Sequence, residues 1–183
     1  MPAPLNFGDI AFTPSVKAVQ ERLGSRRAYA KLEGREVRTH ISPEEAEFIG
    51  ARDSFYLSTV GENGWPYIQY RGGPKGFLRV LDTQTLAFAD FRGNKQYISV
   101  GNVLSRQKSC LFLMDYPNQE RLKIWAEAEI SEDPKLIEKL IDPNYSATIE
   151  RAFILHIQAM DWNCQKYIVQ RFTPEEAAIY SQG

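Results

Sequence analysis

Between Phe55 and Ala89 four runs of β-forming residues follow one another with only short breaks, and that spacing leaves little choice of architecture. Phe55-Tyr56-Leu57-Ser58-Thr59-Val60 is aromatic and β-branched, and Gly61-Glu62-Asn63-Gly64 turns it into the run from Trp65 to Tyr70. That run ends at Arg71-Gly72-Gly73-Pro74, and Phe77 to Leu81 and Thr85 to Ala89 then flank the polar turn Asp82-Thr83-Gln84. Connections this short join antiparallel neighbours, because a parallel pair needs a crossover of roughly a dozen residues or more.

The rest of the chain extends the pattern. Ser109 to Met114 is a continuous apolar run and reads as a strand buried on both faces. From Arg121 to Ile130 the sequence alternates, with Leu122, Ile124, Ala126, Ala128 and Ile130 on one face and Lys123, Trp125, Glu127 and Glu129 on the other. Trp125 among charges reads as a partner surface or a ligand wall. Phe153 to Ala159 and Gln165 to Phe172 complete the set. The fold class is therefore mainly β (α+β), an antiparallel barrel of six to seven strands with peripheral helices.

Helix signals sit around this block. Residues 1 to about 12 read as extended. Thr13-Pro14 starts a helix that stops at Gly24, and Ser42-Pro43-Glu44-Glu45 is a capping box with proline at the first helical position. Residues 1–53 thus form a helical extension packed on the barrel, within a single domain spanning 1–183. Gln96 to Leu104, Lys135 to Ile141 and a short helix after Thr173-Pro174-Glu175-Glu176 are the others.

Composition narrows the function classes. The 183 residues are 43% hydrophobic and 25% charged with a net charge of −1, which argues against nucleic acid or an anionic membrane as main partner. No apolar run approaches the ~20 residues of a membrane span, and the start lacks a basic segment followed by an apolar core, so the expected location is the cytoplasm. The two cysteines, Cys110 and Cys164, read as separate thiols, and the two histidines, His40 and His156, have no acidic companions at metal-ligand spacing. There is no G-x-S-x-G, no GxxxxGK[ST] and no G-x-G-x-x-G.

One segment has the make-up of an anion site. Asp90-Phe91-Arg92-Gly93-Asn94-Lys95 carries the chain from a strand into a helix, with a Gly-Asn pair between two cations. Free backbone N–H groups and the positive end of a helix receive a phosphate, and the cations neutralise it. Taken alone, the same six residues also suit a solvated surface turn, as the basic cluster Ser25-Arg26-Arg27 does.

The arrangement around that loop resembles the pyridoxamine 5'-phosphate oxidase-like superfamily of FMN-binding split barrels, and within it members other than the oxidase itself. The strand ending in Arg71-Gly72-Gly73-Pro74, the hairpin from Gly76 to Asp82 and the loop Arg92-Gly93-Asn94-Lys95 stand where that family has its FMN strand, hairpin and phosphate loop. The likeness extends to Arg121-Leu122-Lys123-Ile124-Trp125 and Asp161-Trp162-Asn163-Cys164, so it covers about Phe55 to Phe172. It implies a split barrel and a homodimer with FMN at the protomer interface. It also implies that Arg92, Gly93, Asn94 and Lys95 hold the phosphate, that Gln69, Tyr70 and Arg71 lie along the ring and ribityl chain, and that Ala89, Asp90 and Phe91 lead into the loop. Trp162, Lys166 and Arg171 would reach the same flavin from the other protomer. The oxidase's C-terminal Arg-x-His motif is missing, since Lys166 to Phe172 reads KYIVQRF. The implied function is an FMN-binding oxidoreductase related to pyridoxamine 5'-phosphate oxidase, of unknown substrate, with vitamin B6 oxidation expected to be absent or slight. The alternatives are a flavin or haem carrier or sensor without turnover, and a deazaflavin-dependent reductase.

Overall fold

The computed structural model describes residues 6–31, 33, 39–162 and 165–180. Seven strands are seen among them: β1 (Ser54–Val60), β2 (Pro66–Gly72), β3 (Arg79–Asp82), β4 (Thr85–Phe91), β5 (Lys108–Asp115), β6 (Glu120–Ser131) and β7 (Ile149–Trp162). They form one antiparallel sheet in the order β2-β1-β5-β6-β7-β4-β3. The sheet is not closed, and its free edges are β2 and β3. It nevertheless rolls up around one core. Phe55 of β1 stacks on Phe77 at 5.5 Å and meets Phe88 of β4 edge-on at 5.2 Å, and Phe88 stacks on Phe153 of β7 at 4.8 Å. The split therefore lies between β2 and the β4–β3 edge.

The helices follow their capping signals. α2 (Pro14–Arg22) starts on the Thr13 hydroxyl, and α4 (Pro43–Gly50) starts on a capping box between Ser42 and Glu45. Glu45 has a second task, because its carboxylate accepts the indole N–H of Trp162 at 3.0 Å, while that ring meets Phe48 edge-on at 4.7 Å. The end of β7 is thus fixed to α4. α3 (Arg26–Ala30), α5 (Ile98–Ser105), α6 (Pro134–Leu140) and α7 (Pro174–Tyr180) are short.

Four expectations change. The first residues are not all extended: α1 (Phe7–Ala11) begins on a reciprocal capping box between Asn6 and Asp9. It lays Phe7 against Trp125 at 5.3 Å, with Lys123 over both rings, so Trp125 is covered by its own chain. β5 is buried on one face only, since Ser109, Leu111, Leu113 and Asp115 point inward and Cys110, Phe112 and Met114 are half-buried. Gln165 to Phe172 forms no strand. Side chains of the β5–β6 turn and of the segment itself hold it instead, with Gln119 Nε2 donating to the Ile168 carbonyl at 2.6 Å and Gln170 Nε2 to the Pro117 carbonyl at 2.8 Å. Burial pushes the Cys110 thiol up to about 11, the opposite of an activated nucleophile, and Cys164 lies outside the described residues.

Candidate functional site

A cavity of about 230 Å³ opens at the split between β2 and β4. β2 alternates, so Tyr67, Gln69 and Arg71 face the cavity while Ile68 and Tyr70 face out, 64% and 59% exposed. β4 supplies Asp90 and Phe91, the loop supplies Gly93, Asn94, Lys95 and Gln96, and β7 supplies Glu150. The first turn of α5 closes it with Ile98, Ser99 and Val100. Buried Ser99 donates its hydroxyl to the Gln69 side-chain oxygen at 2.9 Å, which leaves the Gln69 amide N–H groups to face the cavity.

The loop backbone is unusual for its sequence. Lys95 and Tyr97 both adopt the left-handed region, with φ of 61° and 52°. Residues with a Cβ enter it at a cost of roughly 1–3 kcal/mol, and such strain gathers at ligand clamps. Tyr97 is also the residue from which α5 starts, and no side chain caps the helix there. The N–H groups of its first turn therefore meet the cavity without a capping oxygen, at the positive end of the helix.

The electrostatics are built on one alternating chain of charges across the split. Arg71 donates to Asp90 at 2.9 Å, Arg151 stands 3.8 Å from the same carboxylate, Arg151 also pairs with Glu150 at 3.0 Å, and Arg92 pairs with Glu150 at 3.0 Å. Arg71 lies over the Phe153 and Phe88 rings, and Arg151 over Tyr97, whose hydroxyl donates to Glu150 at 3.4 Å. Among the described residues, the buried Nε atoms of Arg71 and Arg151 have no hydrogen-bond acceptor. Burial lowers the Arg71 pKa more than Asp90 restores it, and burial raises the Asp90 pKa more than Arg71 and Arg151 lower it. Both partners thus sit at a desolvation cost that their pairing does not repay. Three arginines pair around two carboxylates and Lys95 lines the cavity beside them, so together they carry two surplus positive charges. Perturbed charges of this kind gather at functional sites as well as in structural ion-pair networks.

Of the residues singled out in the sequence, Gln69, Arg71, Asp90, Phe91, Gly93, Asn94 and Lys95 line this cavity. Arg92 borders it through Glu150, with about half of its side chain exposed. Tyr70 stands on the outer face of β2 against Tyr56, and Ala89 is buried under α6 with Ala87, Leu140 and Ala152. Trp162 is engaged with Glu45 and Phe48, and Lys166 lies over Tyr167. Arg171 lies over Tyr116 in a separate cleft of about 500 Å³ between the β5–β6 turn and α7. Sequence reasoning missed Arg151, Glu150, Tyr97 and Ser99. For Arg151 a signal existed: it falls two residues before Phe153, which places a charge on the inward face of an otherwise apolar strand.

Comparison with known proteins agrees with this geometry. The chain is similar in fold to HupZ of Group A Streptococcus, at 16% identity and a TM-score of 0.56, over 72% of this chain and 99% of that one. It is likewise similar to an FMN-binding protein of Syntrophomonas wolfei subsp. wolfei, at 17% identity and a TM-score of 0.52, over 79% of this chain and 97% of that one. None of the curated proteins matches the chain. The sequence model for pyridoxamine 5'-phosphate oxidase matches residues 41–177, which span every strand and the whole of the cavity described above. With that match running over well more than half its length, on a split antiparallel barrel, the chain belongs to the pyridoxamine 5'-phosphate oxidase family of FMN-binding split barrels.

Proposed function

We propose that the protein is an FMN-binding oxidoreductase whose cofactor phosphate sits in the cavity at the split. The observation that carries this reading is the charge cluster. A surplus of positive charge, the cavity-lining cations Arg71 and Lys95, and a helix start that no described side chain caps meet in one place. A phosphate monoester carries about −1.5 to −2 at neutral pH and three acceptor oxygens, which matches that charge and those donors. Arg71 and Lys95 are the direct cations, Gly93 and Asn94 shape the loop, and Asp90 positions Arg71. Arg92 acts through Glu150, which it neutralises. Gln69 offers its amide N–H groups, and Ala89 sets the path of β4 into the loop.

The size of the cavity adds a second element. At about 230 Å³ it is smaller than the roughly 300–1,000 Å³ of a complete small-molecule site. It suits the phosphate end of FMN and leaves the ring to be covered from outside. The outer face of β2 offers the surface for this, because Ile68 and Tyr70 on that free edge are 64% and 59% exposed. A second copy of the chain docked there would complete the site, bringing Trp162, Lys166 and Arg171 toward the ring. The bound flavin would supply the hydride and electron chemistry, and the chain supplies anchoring, orientation and exclusion of water. The substrate is one other than pyridoxamine 5'-phosphate, on the ground of the missing Arg-x-His motif.

The test is an absorbance spectrum of the purified protein, followed by titration of the apoprotein with FMN in the presence and absence of inorganic phosphate. A bound two-band flavin spectrum, with FMN affinity reduced by phosphate, is the expected result. A Soret band, or a single deazaflavin band with no FMN uptake, would replace FMN by that cofactor. Anaerobic bleaching by NADH or NADPH then separates an oxidoreductase from a carrier.

A further inference from the structure

Phe91 lines a second cavity besides the phosphate pocket. This one measures about 270 Å³ and lies between α6 and the β3–β4 edge of the sheet. Beside it, Ala87 and Ala89 on β4 and Ala152 on β7 pack under Leu140. Three rings stand around it in sequence, with Phe77 6.4 Å from Phe91 and Phe91 5.2 Å from Tyr145. Ile137, Leu140 and Ile149 complete an apolar lining that contains one cation, Arg79, and one carboxylate, Asp142. The two charges differ in what they are free to do. Asp142 accepts the Asn144 N–H at 2.9 Å on one carboxylate oxygen and its carbonyl accepts the Tyr145 N–H at 3.1 Å, which ties it into the turn. Arg79, exposed on β3, pairs with no carboxylate among the described residues.

We propose that this cavity is a second binding site, for a small aromatic molecule carrying one negative charge, with its ring among Phe77, Phe91 and Tyr145 and its anionic group on Arg79. The tilted rings supply an apolar, aromatic wall, against which ring contacts add to simple burial. One uncommitted guanidinium suits a carboxylate, to which it binds in a two-pronged fashion. A phosphate dianion calls for the larger surplus of charge that the neighbouring pocket has and this one lacks. At about 270 Å³ the cavity falls just below the roughly 300–1,000 Å³ of drug-sized sites, which suits a one- or two-ring compound rather than a nucleotide. The site stands independently of the FMN reading, since none of its residues except Phe91 belongs to the phosphate pocket.

The experiment uses 2-naphthoate as probe and 2-naphthylmethanol as its neutral counterpart, titrated calorimetrically into the full-length protein with and without saturating FMN. Naphthoate should bind more tightly than the alcohol. Arg79→Gln should weaken naphthoate about fivefold to tenfold and leave the alcohol unchanged, because an exposed charge-assisted contact is worth about that factor. Ala147→Trp, at an exposed position of the lining, should fill the slot and abolish binding of both without touching the core. Naphthoate binding that FMN or inorganic phosphate displaces competitively would place the probe in the phosphate pocket and overturn the proposal. So would unaltered naphthoate affinity in both variants, or no binding to the unmodified protein. Failure of FMN to bind, with the naphthoate results as stated, would overturn the flavin reading alone.

Discussion

Replacing Arg71 by methionine isolates the central cation of the phosphate pocket. Methionine keeps an unbranched apolar side chain at the position, while the guanidinium that lies over the Phe88 and Phe153 rings is lost. Charge-assisted hydrogen bonds to a buried anion are worth about 1.5–3 kcal/mol, which predicts a loss of FMN affinity of about 10- to 150-fold. Riboflavin has the same ring and ribityl chain without the phosphate, so its weaker affinity should stay within about twofold. The single variant also leaves Asp90 buried with only Arg151 at 3.8 Å, which lowers stability and blurs the comparison. The double variant Arg71→Met/Asp90→Asn removes that problem, because replacing both members of a buried pair by neutral groups is often neutral or stabilising. The double variant should therefore melt above the single one and yet bind FMN no better. Affinities come from quenching of flavin fluorescence and stability from urea unfolding followed by tryptophan emission. Equal losses for FMN and riboflavin, or FMN affinity restored in the double variant, would refute the assignment of Arg71 to the phosphate.

Lys95→Ala should also weaken FMN by about tenfold with riboflavin unchanged, whereas Arg92→Ala, acting through Glu150, should cost FMN less than Lys95→Ala in the same quenching titration. Sedimentation should give twice the one-chain mass of 20.9 kDa, and Ile68→Glu on the exposed edge strand should give the single chain and a weaker flavin complex. Oxidation of pyridoxamine 5'-phosphate, followed by oxygen uptake, should stay below about one turnover per second. Acid should unfold the protein in part through Asp115. Burial alone would raise its pKa, but the backbone and side chain of Asn118 and the Arg52 guanidinium outweigh it and hold the carboxyl below the usual range. Its contribution is therefore full above the unfolded-state value near 4 and is lost as the pH falls through the lower folded value, so Asp115→Asn should melt lower at pH 6 but lose less on acidification.

The hairpins were legible because their signals are local. Gly61 to Gly64 and Asp82 to Gln84 are turn chemistry between alternating runs, and the pairings Tyr56 with Tyr70 and Arg79 with Ala87 follow directly. Where the sequence misled, a distant partner decided. Gln165 to Phe172 has β-forming residues, yet β7 already carries β6 on one side and β4 on the other, and the free edges are elsewhere, at β2 and β3. With no edge beside it the segment satisfies its backbone through Gln119 instead. β5 reads as a continuous apolar run because Cys110, Phe112 and Met114, on the outer face, are as apolar as the residues beneath, and only the sheet shows that they are half-exposed. α1 carried a real signal in Asn6 and Asp9, but five residues offer too short a window for periodicity to speak.

The phosphate pocket divides in the same way, and the division has a physical reason. The loop from Arg92 to Lys95 advertises itself, since glycine and asparagine between cations need no tertiary partner to be recognised. The charge balance that gives the loop its force does not. Asp90 lies opposite Arg151 only because β4 pairs with β7 in that register, and Arg71 reaches Asp90 only because the sheet rolls until its two ends face each other. A shift of one residue in the β4–β7 pairing would turn Arg151 outward, return Asp90 to Arg71 alone and remove one of the surplus charges. On the proposed reading, anion affinity here would be a property of strand register as much as of the loop. The bulge between Asp90 and Phe91, where the pairing passes from Arg151 to Ile149, is the feature that ends the register and lets the chain leave for the loop.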